Sequence, residues 1–255
     1  MNRLDSTTSE LIILALDTSS RATSIAVRRG DRLLKSIKAP ADEKRSENLW
    51  SDVHSLLKAL GMAIGDVDLF SVCVGPGSFT GLRVGMAAIK GFAAAGSKPI
   101  VGVTSLEAAA FGAGPAQFVC SMVTAYKGDV YSQLFSFDGY GVPIAENAPM
   151  VSTFDKALER VADVNELVLA GGGAEAGMDA SPSNGQQLIY KKRAIKRAEH
   201  SLAEALVSLA LLKRARGEVE TAESLKACYV RRAEAEIKLS LGLLGSKIKR
   251  SMKSG

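Results

Sequence analysis

Apolar positions first gather in a short unbroken run, Leu11 to Leu16, which stops at Asp17-Thr18-Ser19-Ser20. Thr23 to Arg28 then alternates, with Ile25 and Val27 on one side, and Leu33 to Ile37 follows a turn at Arg29-Gly30-Asp31. Runs and alternation of this length, separated by turn residues, predict three antiparallel strands. The period then changes. Leu49, Trp50, Val53, Leu56, Leu57 and Leu60 recur at helical spacing, with Ser46 as a candidate cap and Gly61 as the stop. Leu69 to Val74 is a fourth strand, and Ile100 to Val103 is a fifth, with Thr104 or Ser105 capping a helix behind it.

The pattern then starts over. Phe118 to Val123 and Val130 to Phe137 predict paired strands across a turn at Tyr126-Lys127-Gly128-Asp129. Residues 153–162 predict a helix, and Leu167 to Ala170 predicts a strand entering Gly171-Gly172-Gly173. Leu202, Leu206, Leu209 and Leu212 mark one face of a helix over Ser201 to Arg216. Two consecutive βββαβα-like halves, each with a strand running into a glycine turn, imply a duplicated α/β fold. The period exceeds 100 residues, so the arrangement is a pair of halves and not a solenoid.

The most informative stretch joins the fourth strand to the next helix: Gly75-Pro76-Gly77-Ser78-Phe79-Thr80-Gly81-Leu82-Arg83-Val84-Gly85. Glycines permit backbone conformations closed to other residues, and Pro76 fixes a dihedral between them. Ser78 or Thr80 can accept a hydrogen bond from the first turn of a helix running to about Ala95. Such a turn can cradle an anion on its amides or serve as a structural corner. It matches neither the dinucleotide fingerprint nor the P-loop. Asp17, Thr18 and Ser19 end the first strand and could hold a metal ion or phosphate, or bond their own backbone. Together they make Asp17, Thr18, Ser19, Gly75, Gly77 and Ser78 the candidate nucleotide or anion site.

Gly81, Gly85, Ala88, Gly91 and Ala95 put small residues at three- and four-residue spacing on the glycine-loop helix. Such a stripe serves core packing or a helix-pairing face. The only tryptophan, Trp50, lies on the preceding helix, and aromatic anchors are enriched at interfaces. Trp50, Val53, Thr80, Gly81, Arg83, Gly85, Ala88 and Gly91 are the candidate partner-interface residues.

Composition narrows the class. Of 255 residues 47% are hydrophobic and 23% charged, with no apolar run of transmembrane length. The run at Leu11 to Leu16 is too short for a signal peptide. Cys73, Cys120 and Cys228 form no C-x-x-C pair, which suggests reduced cysteines and a cytoplasmic location. The two histidines, His54 and His200, supply no obvious zinc site or helical two-histidine pair, and no catalytic set emerges. The net charge of +5 has one origin. Residues 238–255 hold Lys238, Lys247, Lys249, Arg250 and Lys253 and no acid, leaving 27 basic and 27 acidic residues elsewhere. Such a tail is either a solvated end or a contact for RNA or acidic lipid.

The stretches Ile12-Ile13-Leu14-Ala15-Leu16-Asp17-Thr18-Ser19, Gly75 to Gly85, Lys90-Gly91 and Val103-Thr104-Ser105-Leu106 resemble the TsaB (YeaZ) family. The likeness is strong over residues 11–110 and weaker at Lys127-Gly128-Asp129-Val130-Tyr131 and Tyr229-Val230-Arg231. The chain departs from the family pattern at Arg45, Thr124, Tyr126, Lys226 and Ala227, and in its basic tail. The resemblance implies an ASKHA-type fold, the actin, Hsp70 and sugar-kinase architecture. The expected division is a first half over 1–104 with the pairing helices, a second half over 105–237 whose last helix packs back on the first, and the tail at 238–255.

The resemblance also implies a role in forming N6-threonylcarbamoyladenosine at position 37 of tRNA. The expected chain is a non-catalytic subunit that binds the catalytic partner TsaD, with the ATPase TsaE joining and tRNA reached through the complex. It also implies homodimers through the same helices. No membrane partner is expected. No cofactor is expected for the chain itself, and ATP or ADP is the candidate ligand at the complex interface. The competing class is an enzyme, either an ASKHA small-molecule kinase or ATPase, or a metalloprotease-like protein. A kinase would use Asp17 as base and Gly171-Gly172-Gly173 as its second phosphate loop.

Overall fold

The computed structural model describes residues 10–20, 22–39, 45–114, 116–180, 194–196 and 201–230. The tail at 238–255 lies outside the described residues. The first sheet has the order β3-β2-β1-β4-β5, from β1 (Ile12–Asp17), β2 (Thr23–Arg29), β3 (Arg32–Ala39), β4 (Leu69–Gly75) and β5 (Ile100–Thr104). β2 runs antiparallel to β1 and β3, and β4 runs parallel to β1 and β5.

The second sheet repeats that plan. Its order is β11-β10-β6-β7-β8, from β6 (Phe118–Thr124), β7 (Val130–Phe137), β8 (Pro143–Ala145), β10 (Leu167–Ala170) and β11 (Ala194–Lys196). β7 is antiparallel to β6 and β8, and β10 is parallel to β6 and β11. A further strand, β9 (Met150–Ser152), pairs with β7. Strand order and direction thus match position by position, and the chain has the duplicated α/β architecture of the ASKHA type. β8, β9 and β11 are additions to the strands expected from the sequence.

Both faces of the first sheet are buried, which explains why β1 and β4 read as continuous apolar runs and not as alternating ones. Ile13 and Ala15 of β1 face one core with Leu69 and Cys73 of β4. That core is closed by α6 (Leu202–Ala215), through Ala203, Leu206, Leu209 and Ala210. Leu14 and Leu16 face the opposite core with Phe70 and Val72. That side is covered by α1 (Arg45–Ala59), through Leu49, Val53 and Leu56, and by α2 (Phe79–Gly96), through Met86, Ile89 and Phe92. Helix α1 begins at Arg45, one residue before the expected Ser46 cap.

The helix after each half crosses over. α3 (Ser105–Gly112) packs mainly on β6, β7 and α6, burying Leu106 and Ala110 with Val119, Phe135 and Ala170. α6, which follows the second sheet in sequence, lies on β1, β2, β4 and β5 of the first. The outer face of the second sheet is covered by α4 (Phe154–Glu159) and α5 (Gly172–Ala180), through Phe154, Leu158 and Ala174 packed on Met122 and Leu169. Side-chain caps stand at three helix starts, and those at Ser78 and Thr104 are among the ones expected. Ser78 accepts from the Gly81 amide, Thr104 from Glu107 and Ser201 from Glu204.

After α6 the chain runs back along the first sheet. Ile100 and Glu220 exchange backbone hydrogen bonds of 2.9 and 2.7 Å. The Glu220 carboxylate accepts from the Gly102 amide at 3.2 Å, and Leu225 is buried in the α1–α2 core. Lys90 donates to the Leu225 carbonyl at 2.9 Å, and Cys228 N donates to Val74 O at 2.8 Å. This strap ends beside the glycine loop. A Cβ on Gly75, whose φ is +110°, would stand 2.7 Å from the Cys228 carbonyl oxygen.

Candidate interface at the glycine loop and helix α2

Parallel pairing of β1 with β4, Leu16 opposite Val72, sets the Asp17–Ser20 turn beside the Gly75–Ser78 turn. The six residues expected to bind an anion are therefore neighbours, as the sequence suggests. Most of their polar groups are engaged with one another, while the Ser19 hydroxyl is buried with no hydrogen-bond partner among the described residues. Ser78 N donates to Ser19 O at 2.7 Å, Gly81 N to Ser78 Oγ at 3.2 Å, and Thr18 Oγ1 to Gly81 O at 2.7 Å. Ser19 N donates to Asp17 Oδ1 at 2.9 Å. Across the corner, Ser105 Oγ donates to Pro76 O at 2.6 Å. Two of the amides an anion cradle would use, those of Ser78 and Gly81, are already taken.

Asp17 is buried and faces inward. Burial pushes its carboxyl above the ordinary value of 3.8, opposed by the hydrogen bond from the Ser19 amide. Burial and then the neighbouring Asp17 charge push the Cys73 thiol upward as well. A thiol held protonated in the core is inert, which fits the structural reading of Cys73.

The glycines of α2 divide by helical face. A Cβ on Gly77 would overlap Ser19 O, one on Gly81 would overlap Thr18 O, and one on Gly85 would overlap Thr18 Oγ1. These three let the start of α2 press against the end of β1. Gly91 lies on the other side, exposed, with nothing within 4 Å of its Cβ position.

The expected interface residues divide in the same way. Trp50 is 60% exposed and sets its ring edge-on to Phe92, with centroids 4.4 Å apart. Thr80, Arg83 and Gly91 are exposed, and Ala88 and Gly81 are half-buried. Val53 and Gly85 do not fit the expectation of surface contacts. Val53 is 2% exposed and belongs to the core under α1, and Gly85 is buried against Thr18. At 3.6 residues per turn the two stand roughly 60° apart on one apolar stripe, with Val53 over the sheet and Trp50 at the stripe's edge against Phe92.

Two further surface residues join this face. Phe79 is 37% exposed, and Arg83 places its guanidinium carbon 4.0 Å from the Phe79 ring centroid. The ring of Tyr229, 49% exposed at the end of the strap, lies 5.4 Å from that of Phe79. Phe79 was in view within the glycine-loop motif and Tyr229 within the late Tyr-Val-Arg. Only the strap's return path brings them together.

In the second half, Thr124, Gly128, Asp129, Phe154, Asp155 and Gly173 are among the residues lining a cavity of about 360 Å³. A Cβ on Gly171 would overlap Met122 O, and one on Gly173 would lie 2.9 Å from backbone atoms of Met122 and Val123. These glycines therefore serve close packing of α5 on β6, and a phosphate would meet the Asp129 and Asp155 carboxylates. Tyr126 is 62% exposed, with Lys127 Nζ 5.5 Å from its ring centroid. Among the described residues no group of three or more His, Cys, Asp or Glu is placed to hold a metal ion. No described helix is long and apolar enough to cross a membrane.

Residues 39–158 match the family model for TsaD, tRNA N6-adenosine threonylcarbamoyltransferase. The tRNA threonylcarbamoyladenosine biosynthesis protein TsaB of Bacillus subtilis is 34% identical over 128 residues, 50% of this chain and 56% of that protein. TsaB of Escherichia coli is 28% identical over 177 residues, 68% of this chain and 76% of that protein. The matched stretch thus spans little more than half the length of the Bacillus relative. Among solved structures, YeaZ from Pseudomonas aeruginosa superposes with a TM-score of 0.68 at 28% identity, over 86% of this chain and 99% of that one. A second Pseudomonas aeruginosa structure, of an uncharacterized protein with similarity to peptidase YEAZ, gives a TM-score of 0.70 at 28% identity, over 87% of this chain and all of that one. In sequence and in fold alike, this chain is similar to TsaB (YeaZ) proteins.

Proposed function

We propose that this protein is a non-catalytic subunit required to form N6-threonylcarbamoyladenosine in tRNA, and that it acts by docking on a TsaD-type transferase through the outer face of α1 and α2. The observation that carries the reading is the set Trp50, Phe79, Arg83 and Gly91. These exposed side chains and a bare backbone patch stand on two helices whose other faces are fixed in the core. The names of the curated relatives support the pathway.

The chain's contribution is positional. Gly77, Gly81 and Gly85 lock α2 to the β1 turn, so the pairing face is held ready before the partner arrives. A preordered face loses less conformational freedom on binding. Gly91, without a side chain, admits a partner helix to close range. Trp50 and the Phe79–Arg83–Tyr229 group provide aromatic and cation–π contacts at its edges. Homodimers form through this same face and give way to the transferase. The ATPase TsaE joins the pair, ATP or ADP belongs to the assembled complex, and the setting is cytoplasmic.

The test is co-elution of the purified chain with a TsaD-type transferase, compared with its Gly91→Leu variant. The intact chain forms a one-to-one complex, and the variant remains folded but elutes alone. Equal complex formation by both would remove the α2 face from the proposal.

A further inference from the structure

Two strand glycines make room for the strap, and one lysine holds it there. A Cβ on Gly102 of β5 would stand 2.8 Å from Glu220 Oε2 and 2.9 Å from Leu225 Cδ1, just as one on Gly75 would meet the Cys228 carbonyl. Residues 219–229 contain no helix and only an isolated bridge at Glu220, so a few bonds to the body set their position. At one end these are the Glu220 bonds to β5, and at the other the Cys228 bond to Val74. Between them the half-buried Lys90 ammonium donates to the Leu225 carbonyl at 2.9 Å. Among the described residues this is the only hydrogen bond from a side chain of the body to the strap's backbone. Four residues after Leu225, the Tyr229 ring lies 5.4 Å from that of Phe79, which Arg83 also covers. Lys90 is remote from that aromatic group, about three turns of α2 beyond Phe79, or ~16 Å along the axis at 1.5 Å per residue.

We infer that Lys90 is a positioning residue for the partner: by holding the strap at Leu225 it seats Tyr229 against Phe79 and Arg83, and so completes the docking face from a distance. The inference rests on the proposed function for the identity of the partner, a TsaD-type transferase. A segment without regular structure is ordered only as far as its anchors order it. Tyr229 on a loose strap has to be ordered when the partner arrives, and that conformational cost is subtracted from the binding energy. Loss of the Lys90 bond therefore lowers affinity without removing any contact with the partner.

The test is a double-mutant cycle on the full chain, with Lys90→Met, Tyr229→Ala and both together. Lys90→Met keeps a long apolar stem and loses the donor. Affinity for the transferase is measured by calorimetry, and amide exchange by NMR on the chain alone. Tyr229→Ala should weaken pairing about fivefold to tenfold. Lys90→Met should weaken it about threefold to fivefold in the parent, but less than about twofold when Tyr229 is already Ala, because residues acting through one contact do not add. On the chain alone, Lys90→Met should speed exchange of the Cys228 amide about tenfold and leave the interior amides of α2 unchanged. Equal losses of affinity in the two backgrounds would show that Lys90 meets the partner itself, and would overturn the inference. Parental exchange at Cys228 would overturn it too, and exchange quickened throughout α2 would reduce Lys90 to a stability residue. Failure of the parent itself to pair with the transferase strikes the proposed function instead. In that event the exchange rates alone decide whether Lys90 seats the strap.

Discussion

Thr18 and Gly81 hold the end of β1 and the start of α2 together. The Thr18 hydroxyl donates to the Gly81 carbonyl at 2.7 Å, and the missing Gly81 side chain leaves room for the Thr18 carbonyl. One turn further along α2, Gly85 makes the same allowance for the Thr18 side chain. The glycine spacing that reads as a pairing stripe is thus spent, at these two positions, inside the molecule.

Gly85→Ala should therefore lower stability and leave pairing affinity per folded molecule unchanged. Forcing a methyl group into such a contact costs about 1–3 kcal/mol, and urea unfolding would register it. Stability equal to the parent's would show that the Thr18 turn moves aside freely.

Gly91→Leu should do the opposite. Its Cβ position opens onto empty space, so the unfolding midpoint should stay close to the parent's. Affinity for the transferase should fall at least tenfold, equivalent to about 1.4 kcal/mol. Calorimetry showing parental affinity would place the interface elsewhere.

Trp50→Ala tests the aromatic anchor at the other edge of the same face. Truncating an anchor of this kind costs about 2 kcal/mol or more of binding. Trp50 also touches Phe92, so a modest loss of stability should accompany it. Loss of stability with unaltered affinity would reduce Trp50 to a packing residue.

How far the site could be read from sequence follows from these residues. The strand ending at Asp17, the strand ending at Gly75 and the Ser78 cap were legible, because short apolar runs, glycine turns and capping side chains are local signals. Which face of α2 meets solvent was not. Gly85 and Gly91 look alike in a stripe of small residues, and only the proximity of Thr18 separates them. Trp50 and Val53 likewise share one apolar stripe, and the sheet beneath α1 decides that Val53 is covered. Strands β8 and β9 have three residues each, too few to show a period of two. The partnership of Phe79 with Tyr229 joins residues 150 apart and depends on the strap.

Asp17 should leave a mark on the pH profile of stability. Its carboxyl is raised by burial, so the folded state holds the proton at pH values where the unfolded state has released it. Stability from this group is full below the ordinary value of 3.8 and declines as pH rises through the raised one. Asp17→Asn keeps an acceptor for the Ser19 amide and has no proton to lose. Its denaturation midpoint relative to the parent's should rise with pH across that window. Parallel profiles for the two proteins would show that Asp17 is not held protonated.

The central claim is tested most directly by reconstituting the modification. Unmodified tRNA, threonylcarbamoyl-adenylate, a TsaD-type transferase and the ATPase are combined with and without this chain, and N6-threonylcarbamoyladenosine is measured by mass spectrometry of digested tRNA. The account predicts sustained formation with the intact chain, a marked fall with Gly91→Leu, and none when the chain is supplied without the transferase. Product formed by the chain alone, or formed equally well when the chain is left out, would contradict it.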